Sequence, residues 1–87
     1  MNKLFTENGW KDYVYWQKED RKTLRKINAL LEDIARNGNT GIGKPEALMG
    51  NLASCWSRRI NDKDRLIYKI DGDNIYILAC RYHYDDK

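Results

Sequence analysis

The sequence has few of the residues on which metal centres, disulfide frameworks and paired-histidine active sites depend. Its 87 residues include two cysteines, one histidine and one proline. Cys55 and Cys80 lack the C-x-x-C spacing and the histidine neighbours of a zinc site, and one possible disulfide does not make a secreted disulfide framework. We therefore expect two reduced thiols, no metal site and no cofactor.

Long apolar runs and a strong charge of one sign are also absent. No stretch approaches the roughly 20 apolar residues that cross a bilayer, and the N-terminus has no apolar signal-peptide core. We therefore expect a cytoplasmic protein with no membrane partner. The 16 basic and 13 acidic residues leave a net charge of +3, which alone does not establish a nucleic-acid partner. The length predicts one domain over residues 1–87.

The N-terminal half predicts an edge strand and two helices. The edge strand covers residues 3–5, and Thr6 is the predicted N-cap of a first helix over residues 7–18. Asp20 is the predicted N-cap of a second helix, which ends near Arg36, before an Asn-Gly stop. The apolar stripe of this second helix consists of Leu24, Ile27, Leu31 and Ile34. Both helices therefore present an apolar face to a core.

Three runs rich in β-branched and aromatic residues follow, at 56–60, 65–70 and 74–84, and polar turns separate them. This pattern is typical of consecutive hairpins. A three-residue loop at 71–73 would place position 70 opposite 74. The predicted core face then carries Leu66, Tyr68, Ile70, Tyr76, Leu78 and Cys80. The sequence thus predicts an α+β fold in which two N-terminal helices pack on one face of an antiparallel sheet.

Strand alternation predicts a basic opposite face. It carries Arg59, Arg65, Arg81 and His83, with Ser57 beside them. Arg58 falls on the core side in this register and is expected at its rim. The loop over residues 38–43 contains three glycines, but it lacks a Walker pattern and a strand–Gly–helix context, so it is not a nucleotide-binding loop.

Guanidinium groups near a single imidazole favour an enzyme that cleaves a phosphodiester. RNA is cut without a metal when its own 2′-hydroxyl attacks the adjacent phosphorus, which needs a base, positive charge and an acid. With one histidine, a carboxylate must be the base, and Glu46, in a loop after Pro45, is the candidate, with His83 as the acid. Tyr82 and Tyr84 could stack on a nucleobase or donate to phosphate.

Each of these residues also has a plain structural interpretation. A lone histidine at a strand end is more often a surface residue, and Glu46 alone would be a solvated loop acid. Tyr82 and Tyr84 could simply pack at the sheet edge. Cys80 is expected in the core rather than as a nucleophile. The turn and tail acids are expected to be solvated rather than metal ligands.

Several motifs together resemble the Txe/YoeB family of bacterial toxins. They are Gly-Lys-Pro-Glu at 43–46, Asn51-Leu52, Trp-Ser-Arg-Arg-Ile at 56–60, Arg-Leu-Ile-Tyr at 65–68 and Ala-Cys-Arg-Tyr-His-Tyr at 79–84. The early Trp10, Asp12-Tyr13 and Tyr15-Trp16 match as well. The resemblance therefore covers nearly the whole chain.

The resemblance implies a single domain of the RelE superfamily with a microbial-ribonuclease-like fold. It implies a ribosome-dependent, metal-independent mRNA endonuclease, which acts in the ribosomal A site and is held inactive by a YefM/Axe-type antitoxin; a homodimer is left open. Glu46 would be the general base, His83 the general acid, and Arg65 would stabilise transition-state charge. The residues expected to position phosphate and substrate are Lys44, Arg59, Arg81, Tyr82 and Tyr84.

The chain also departs from the family. Ala47 and Met49 stand where members often carry proline and lysine, so one phosphate or ribosomal-RNA contact is expected to be lost. Cys55 replaces a more usual aromatic residue, and Asp85-Asp86-Lys87 extends beyond the closing tyrosine. Two other functions compete. They are a non-catalytic ribosome or RNA binder that blocks translation, and a co-repressor, which is secondary because no helix-turn-helix pattern is present.

Overall fold

The computed structural model describes residues 1–82, in which two helices cover one face of a five-stranded sheet. The elements in chain order are β1 (Asn2–Phe5), α1 (Glu7–Glu19), α2 (Arg21–Asn37), β2 (Glu46–Ala47), β3 (Trp56–Arg59), β4 (Arg65–Asp71) and β5 (Asn74–Ala79), with a short 3-10 turn at Gly50–Leu52. The strand order is β1-β5-β4-β3-β2. The predicted α+β class is confirmed, and since β1 runs parallel to β5, the sheet is mixed.

Both helices begin at the predicted caps. Thr6 Oγ1 accepts a hydrogen bond from the Gly9 N–H at 3.0 Å, and Asp20 Oδ1 accepts from the N–H groups of Lys22 and Thr23 at 3.1 and 3.2 Å. These bonds satisfy N–H groups that the first turn of a helix leaves unpaired. Each helix ends one residue later than predicted, and Gly38 closes α2 with a φ of 66°. Neither helix is long and apolar enough to cross a membrane.

The main core lies between the helices and the sheet. Its buried members are Trp16, Ile27, Leu30, Leu31, Ile34, Ile60, Leu66, Tyr68, Ile75, Ile77 and Cys80. The predicted core residues of α2 and β4 all contribute to this core: most are buried members of it, whereas Leu24 and Ile70 are partly buried and pack against it. The first strand, β1, lies at the edge of the sheet as predicted, and it adds Phe5 to this core.

The predicted register of the β4–β5 hairpin is wrong by one residue. Asp71 pairs with Asn74 and Ile70 with Ile75, so the loop contains two residues, and Gly72 adopts the left-handed φ of 60° that such turns require. A one-residue shift moves every side chain to the other face. Ile75 therefore faces the helices in place of Tyr76.

A β-bulge between Ile67 and Tyr68 reverses this shift further along the hairpin. Tyr68 pairs with Ile77, whereas Ile67 pairs with Ala79. The extra residue, Leu78, leaves the helical core and packs against a small cluster on the other face. Beyond the bulge the alternation returns to the predicted one, and Cys80 is fully buried in the core as expected.

The last strand is shorter than predicted, ending at Ala79 instead of continuing to residue 84. The residue after the strand is Cys80, and both of its backbone polar groups are hydrogen-bonded to side chains of α1. The Cys80 N–H donates to Asp12 Oδ2 at 3.0 Å, and Trp16 Nε1 donates to the Cys80 carbonyl at 2.7 Å. Those groups are then not free for a strand ladder. Residues 83 and 84 of the predicted strand lie outside the described residues.

Candidate functional site

A cleft of about 330 Å³ opens on the face of the sheet opposite the helices. Its lining consists of Lys44, Pro45, Glu46, Ser57, Arg59 and Arg65. The register explains this grouping, because Glu46 pairs with Ser57 and Arg59 pairs with Arg65, and paired residues share a face. The Glu46 carboxylate and the cationic side chains of Lys44, Arg59 and Arg65 thus converge in the cleft. The shared face of Ser57, Arg59 and Arg65 was predicted from strand alternation and is confirmed.

Glu46 is placed differently from the expectation. It was predicted in a loop, but it lies in the two-residue edge strand β2. The approach to it is bent, since Gly43 and Lys44 have φ of 80° and 50°, a region that costs a non-glycine residue about 1–2 kcal/mol. The Arg59 N–H donates to the Gly43 carbonyl at 2.7 Å and holds this bend against β3. The Glu46 side chain is exposed at the cleft.

Arg65 is oriented by backbone carbonyls. Its side chain is only 8% exposed, and Nη1 donates to the carbonyls of Asn61 at 2.7 Å and Asp64 at 3.1 Å. Within residues 1–82, Nε and Nη2 have no hydrogen-bond partner, and neither is a buried unsatisfied atom. The guanidinium is therefore fixed at one nitrogen while its other nitrogens can address an anion.

Asp64, which the sequence did not single out, connects the turn before β4 to the end of the described chain. Its Oδ1 accepts from the Tyr82 N–H at 2.6 Å, and its Oδ2 accepts from Asn61 Nδ2 at 3.1 Å. The Arg65 N–H in turn donates to the Tyr82 carbonyl at 3.0 Å. Tyr82, with a φ of 64° and a half-exposed ring, is thereby held beside Arg65.

Arg81 is not brought into the cleft, so its predicted place beside Arg65 is wrong. Its guanidinium lies over the ring of Tyr15 on α1, 3.5 Å from the centroid, and 4.5 Å from the centroid of Tyr82. Because β5 ends at Ala79, strand alternation no longer determines the direction of residue 81. The cation–π contacts instead tie it to the helical side.

His83 and Tyr84, the predicted acid and a predicted substrate contact, lie outside the described residues, as does the Asp85–Lys87 tail. Among residues 1–82, no three His, Cys, Asp or Glu side chains are close enough together to hold a metal ion.

The departures from the family within residues 1–82 lie in and just after the edge strand β2 and immediately before β3. Cys55 is buried with Leu48 and Ile67 in a small apolar cluster, while Ala47 is exposed and Met49 is 87% exposed. Cys55 therefore fills an apolar position, and Met49 has no packing role. Both cysteines are free, and burial raises the pKa of the Cys80 thiol to about 12, which fits a core residue and not a nucleophile.

Comparison with known proteins identifies one family. The family model that describes a YoeB-like toxin of bacterial type II toxin–antitoxin systems matches residues 5–84. Toxin YoeB of Streptomyces coelicolor is 51% identical over 84 residues, which are 97% of this chain and 100% of that toxin. Toxin YoeB of Escherichia coli is 46% identical over 84 residues, with the same coverage.

Solved structures of YoeB toxins also resemble this chain in fold. A YoeB/ParE toxin from Agrobacterium tumefaciens superposes with a TM-score of 0.93 at 38% identity, covering 97% of this chain and 100% of that one. The toxin in a heterotetrameric YoeB–YefM toxin–antitoxin complex from Staphylococcus aureus superposes with a TM-score of 0.91 at 48% identity, covering 97% and 98%. YafQ from Escherichia coli, at 17% identity and a TM-score of 0.78, shares the fold.

Proposed function

The chain belongs to the YoeB-like family of toxins of bacterial type II toxin–antitoxin systems, and from this premise we propose that it is an endoribonuclease that cuts messenger RNA on the ribosome. The observation that carries the proposal is the cleft itself, in which Glu46 shares one open face with Arg59 and Arg65. A carboxylate beside two guanidinium groups suits a reaction that removes a proton and builds charge on a phosphate.

In the proposed reaction, Lys44 and Arg59 bind the scissile phosphate and Glu46 removes the proton from the adjacent 2′-hydroxyl. The 2′-oxygen then bonds to phosphorus, and the bond from phosphorus to the 5′-oxygen breaks. His83 donates a proton to that departing oxygen, while Arg65 stabilises the charge on the crowded phosphorus. The products are a 2′,3′-cyclic phosphate and a 5′-hydroxyl, and no step requires a metal.

The fixed geometry of Arg65 supports its role. Two hydrogen bonds to backbone carbonyls set the position of its guanidinium before substrate arrives, so little reorganisation is needed when charge develops. Loss of one such preorganised donor typically costs about 10²–10³-fold in rate.

The family also suggests partners. The related Staphylococcus aureus protein is found in a complex with YefM and as a dimer. We propose that this chain likewise binds a YefM-type antitoxin and can form a homodimer. We further propose that it acts in the cytoplasm, in the ribosomal A site, where the mRNA would enter the cleft.

The test is cleavage of a defined mRNA bound to ribosomes, with products mapped at nucleotide resolution. Wild-type protein should leave a cyclic phosphate, and a single 2′-deoxyribose at the scissile nucleotide should block the cut without releasing the message. E46Q, R65A and H83Q should each slow cleavage by roughly 10²-fold or more. Glu19→Gln, an exposed acid at the end of α1, is the control and should cut like wild type.

A different outcome would support the competing function. If the protein arrests translation while the message stays intact, it is a non-catalytic ribosome binder, and the nuclease proposal is wrong.

A further inference from the structure

Arg58 is a buried arginine that the proposed chemistry does not use. It neighbours Arg59 in β3 but points to the opposite face, and its side chain is 0% exposed. The expectation that it lies at the rim of the core is therefore wrong. Burying a guanidinium is strongly unfavourable unless it is paired and hydrogen-bonded, so Arg58 requires strong hydrogen-bond acceptors around it.

Those partners come from α2, β4 and the loop over residues 38–42. Nη1 donates to Asp33 Oδ2 at 2.5 Å, Nη2 donates to two loop carbonyls, and Nε donates to the Tyr68 hydroxyl at 3.3 Å. The loop carbonyls that accept from Arg58 are those of Gly38 at 2.7 Å, Thr40 at 3.1 Å and Ile42 at 3.0 Å. Arg58 thus gathers the backbone of the loop around one guanidinium.

The neighbours of Arg58 hold the same loop. Asp33 Oδ2 also accepts from the Ile42 N–H at 3.1 Å, and the Tyr68 hydroxyl donates to Asn39 Oδ1 at 3.1 Å. The packing is close, because a Cβ added at Gly41 would lie 1.9 Å from the Asp33 carboxylate. The loop is therefore a fixed structure despite its two glycines.

The loop leads directly to the proposed base. Gly43, the residue after the loop, accepts a hydrogen bond from the Arg59 N–H through its carbonyl, and only left-handed Lys44 and Pro45 separate it from Glu46. Proline has a fixed φ, so the short connection transmits the position of the loop. The strand that holds Glu46 has only two residues at the sheet edge, too few to fix it alone.

We propose that Arg58 is a positioning residue that, by holding loop 38–42 against the sheet, sets where the Glu46 carboxylate lies in the cleft. This rests on the proposed function, since position matters only if Glu46 is the base. An arginine is required because its planar fork reaches several acceptors at once, whereas the ammonium of lysine is a point charge. R58K therefore keeps the charge but loses most of the loop bonds.

The experiment is a double-mutant cycle of R58K with E46Q, measured by single-turnover cleavage of ribosome-bound mRNA. A displacement of about 1 Å can cost ~10²-fold, so R58K should slow cleavage on that order, with the affinity for programmed ribosomes nearly unchanged. In the E46Q background the same change should cost almost nothing, because there is no base left to misplace.

The control is Ile75→Val, a buried change in β5 that removes one methyl group from the core and lowers stability modestly. Its small effect on the rate should be the same in both backgrounds. If R58K does not fold, Tyr68→Phe takes its place, since it removes the acceptor of Nε and the bond to Asn39; it should show a smaller loss with the same non-additivity.

Three outcomes overturn the inference. They are a wild-type cleavage rate in folded R58K, an equal loss of rate in the wild-type and E46Q backgrounds, and a weaker affinity for programmed ribosomes with an unchanged cleavage rate. Failure of the proposed function is distinguishable from these, because the wild type would then leave the message intact, and a wrong assignment of the base would show as E46Q cutting as fast as wild type.

Discussion

Arg59 and Arg65 are direct cross-strand partners in β3 and β4, so two guanidinium-bearing side chains stand opposite each other at the cleft. Like charges placed directly opposite are destabilising in a sheet, and within residues 1–82 neither arginine forms an ion pair with an acid. An anion bound between the two guanidinium groups would relieve this repulsion, as a phosphate-binding site requires.

Phosphate should therefore stabilise the protein more than chloride at equal ionic strength. An anion that binds only the folded state at ten times its Kd adds about 1.4 kcal/mol, which raises Tm by roughly 4–8 °C per kcal/mol in a domain of this size. Thermal melts of wild type and Arg59→Gln would check this. The variant should show a clearly smaller phosphate shift, and equal shifts in both proteins would place the anion elsewhere.

Gly9→Ala should destabilise the protein although alanine is the better helix former. A Cβ at this position would lie 2.2 Å from the backbone carbonyl oxygen of Ile77. The gain in helix propensity is about 1 kcal/mol, whereas overpacking against a core strand costs up to about 3 kcal/mol or more. Urea unfolding should show a net loss, while Lys11→Ala, at an exposed position of α1, should change little. A more stable Gly9→Ala variant would contradict the close contact of α1 with β5.

Acid should remove the contribution of Asp33 to stability. The hydrogen bond from Arg58 holds the pKa of this carboxyl below its usual 3.8, although partial burial acts in the opposite direction. Because the folded-state pKa is lowered, the contribution is complete above 3.8 and is lost as pH falls through the folded-state value. Urea unfolding between about pH 6 and pH 2 should give a steeper acid loss in wild type than in Asp33→Asn.

Asp20 provides the comparison for this experiment. Hydrogen bonds from Thr23 lower the pKa of its carboxyl as well, so Asp20→Asn should remove a separate part of the acid dependence. An unchanged acid profile in Asp33→Asn would contradict the importance of its pair with Arg58.

The Cys80 thiol should be inert in the folded protein. Burial raises its pKa to about 12, and the carboxylates of Asp12 and Asp64 act in the same direction. At pH 8 it therefore stays protonated, and only the thiolate reacts readily. In a Cys55→Ala variant, a thiol reagent should label Cys80 only after unfolding in urea. Rapid labelling of the folded protein would show that this part of the core opens easily.

The helices and their caps could be predicted because the signals are local. Thr6 and Asp20 bind N–H groups no more than three residues away, and the apolar spacing lies within each helix. The hairpin register could not be predicted in the same way. The turn between β4 and β5 contains several residues that suit either loop length, and one extra loop residue reverses the facing of a strand.

In the candidate site, too, local features could be predicted from the sequence and long-range ones could not. The placement of Arg59 and Arg65 on one face follows from alternation on either side of a short turn, and their pairing in the structure confirms it. The strand character of Glu46 depends on pairing with Ser57, eleven residues later, and no local pattern indicates it. The position of Arg81 depends on where β5 stops, which is decided by α1 side chains bonding to Cys80.

The class of fold, the helix boundaries to within a residue and the family could all be predicted without the structure, because caps, spacings and motifs are properties of neighbouring residues. Strand alternation placed Arg58 on the core side and Arg59 on the other face, but only the tertiary structure showed that Arg58 is fully buried and not at the rim of the core. Arg58 and Arg59 are chemically identical, but only Arg58 meets the carboxylate of Asp33, 25 residues away in sequence, and the carbonyls of the loop. The physical reason is that a buried charge requires partners in space, and only the folded chain brings them together.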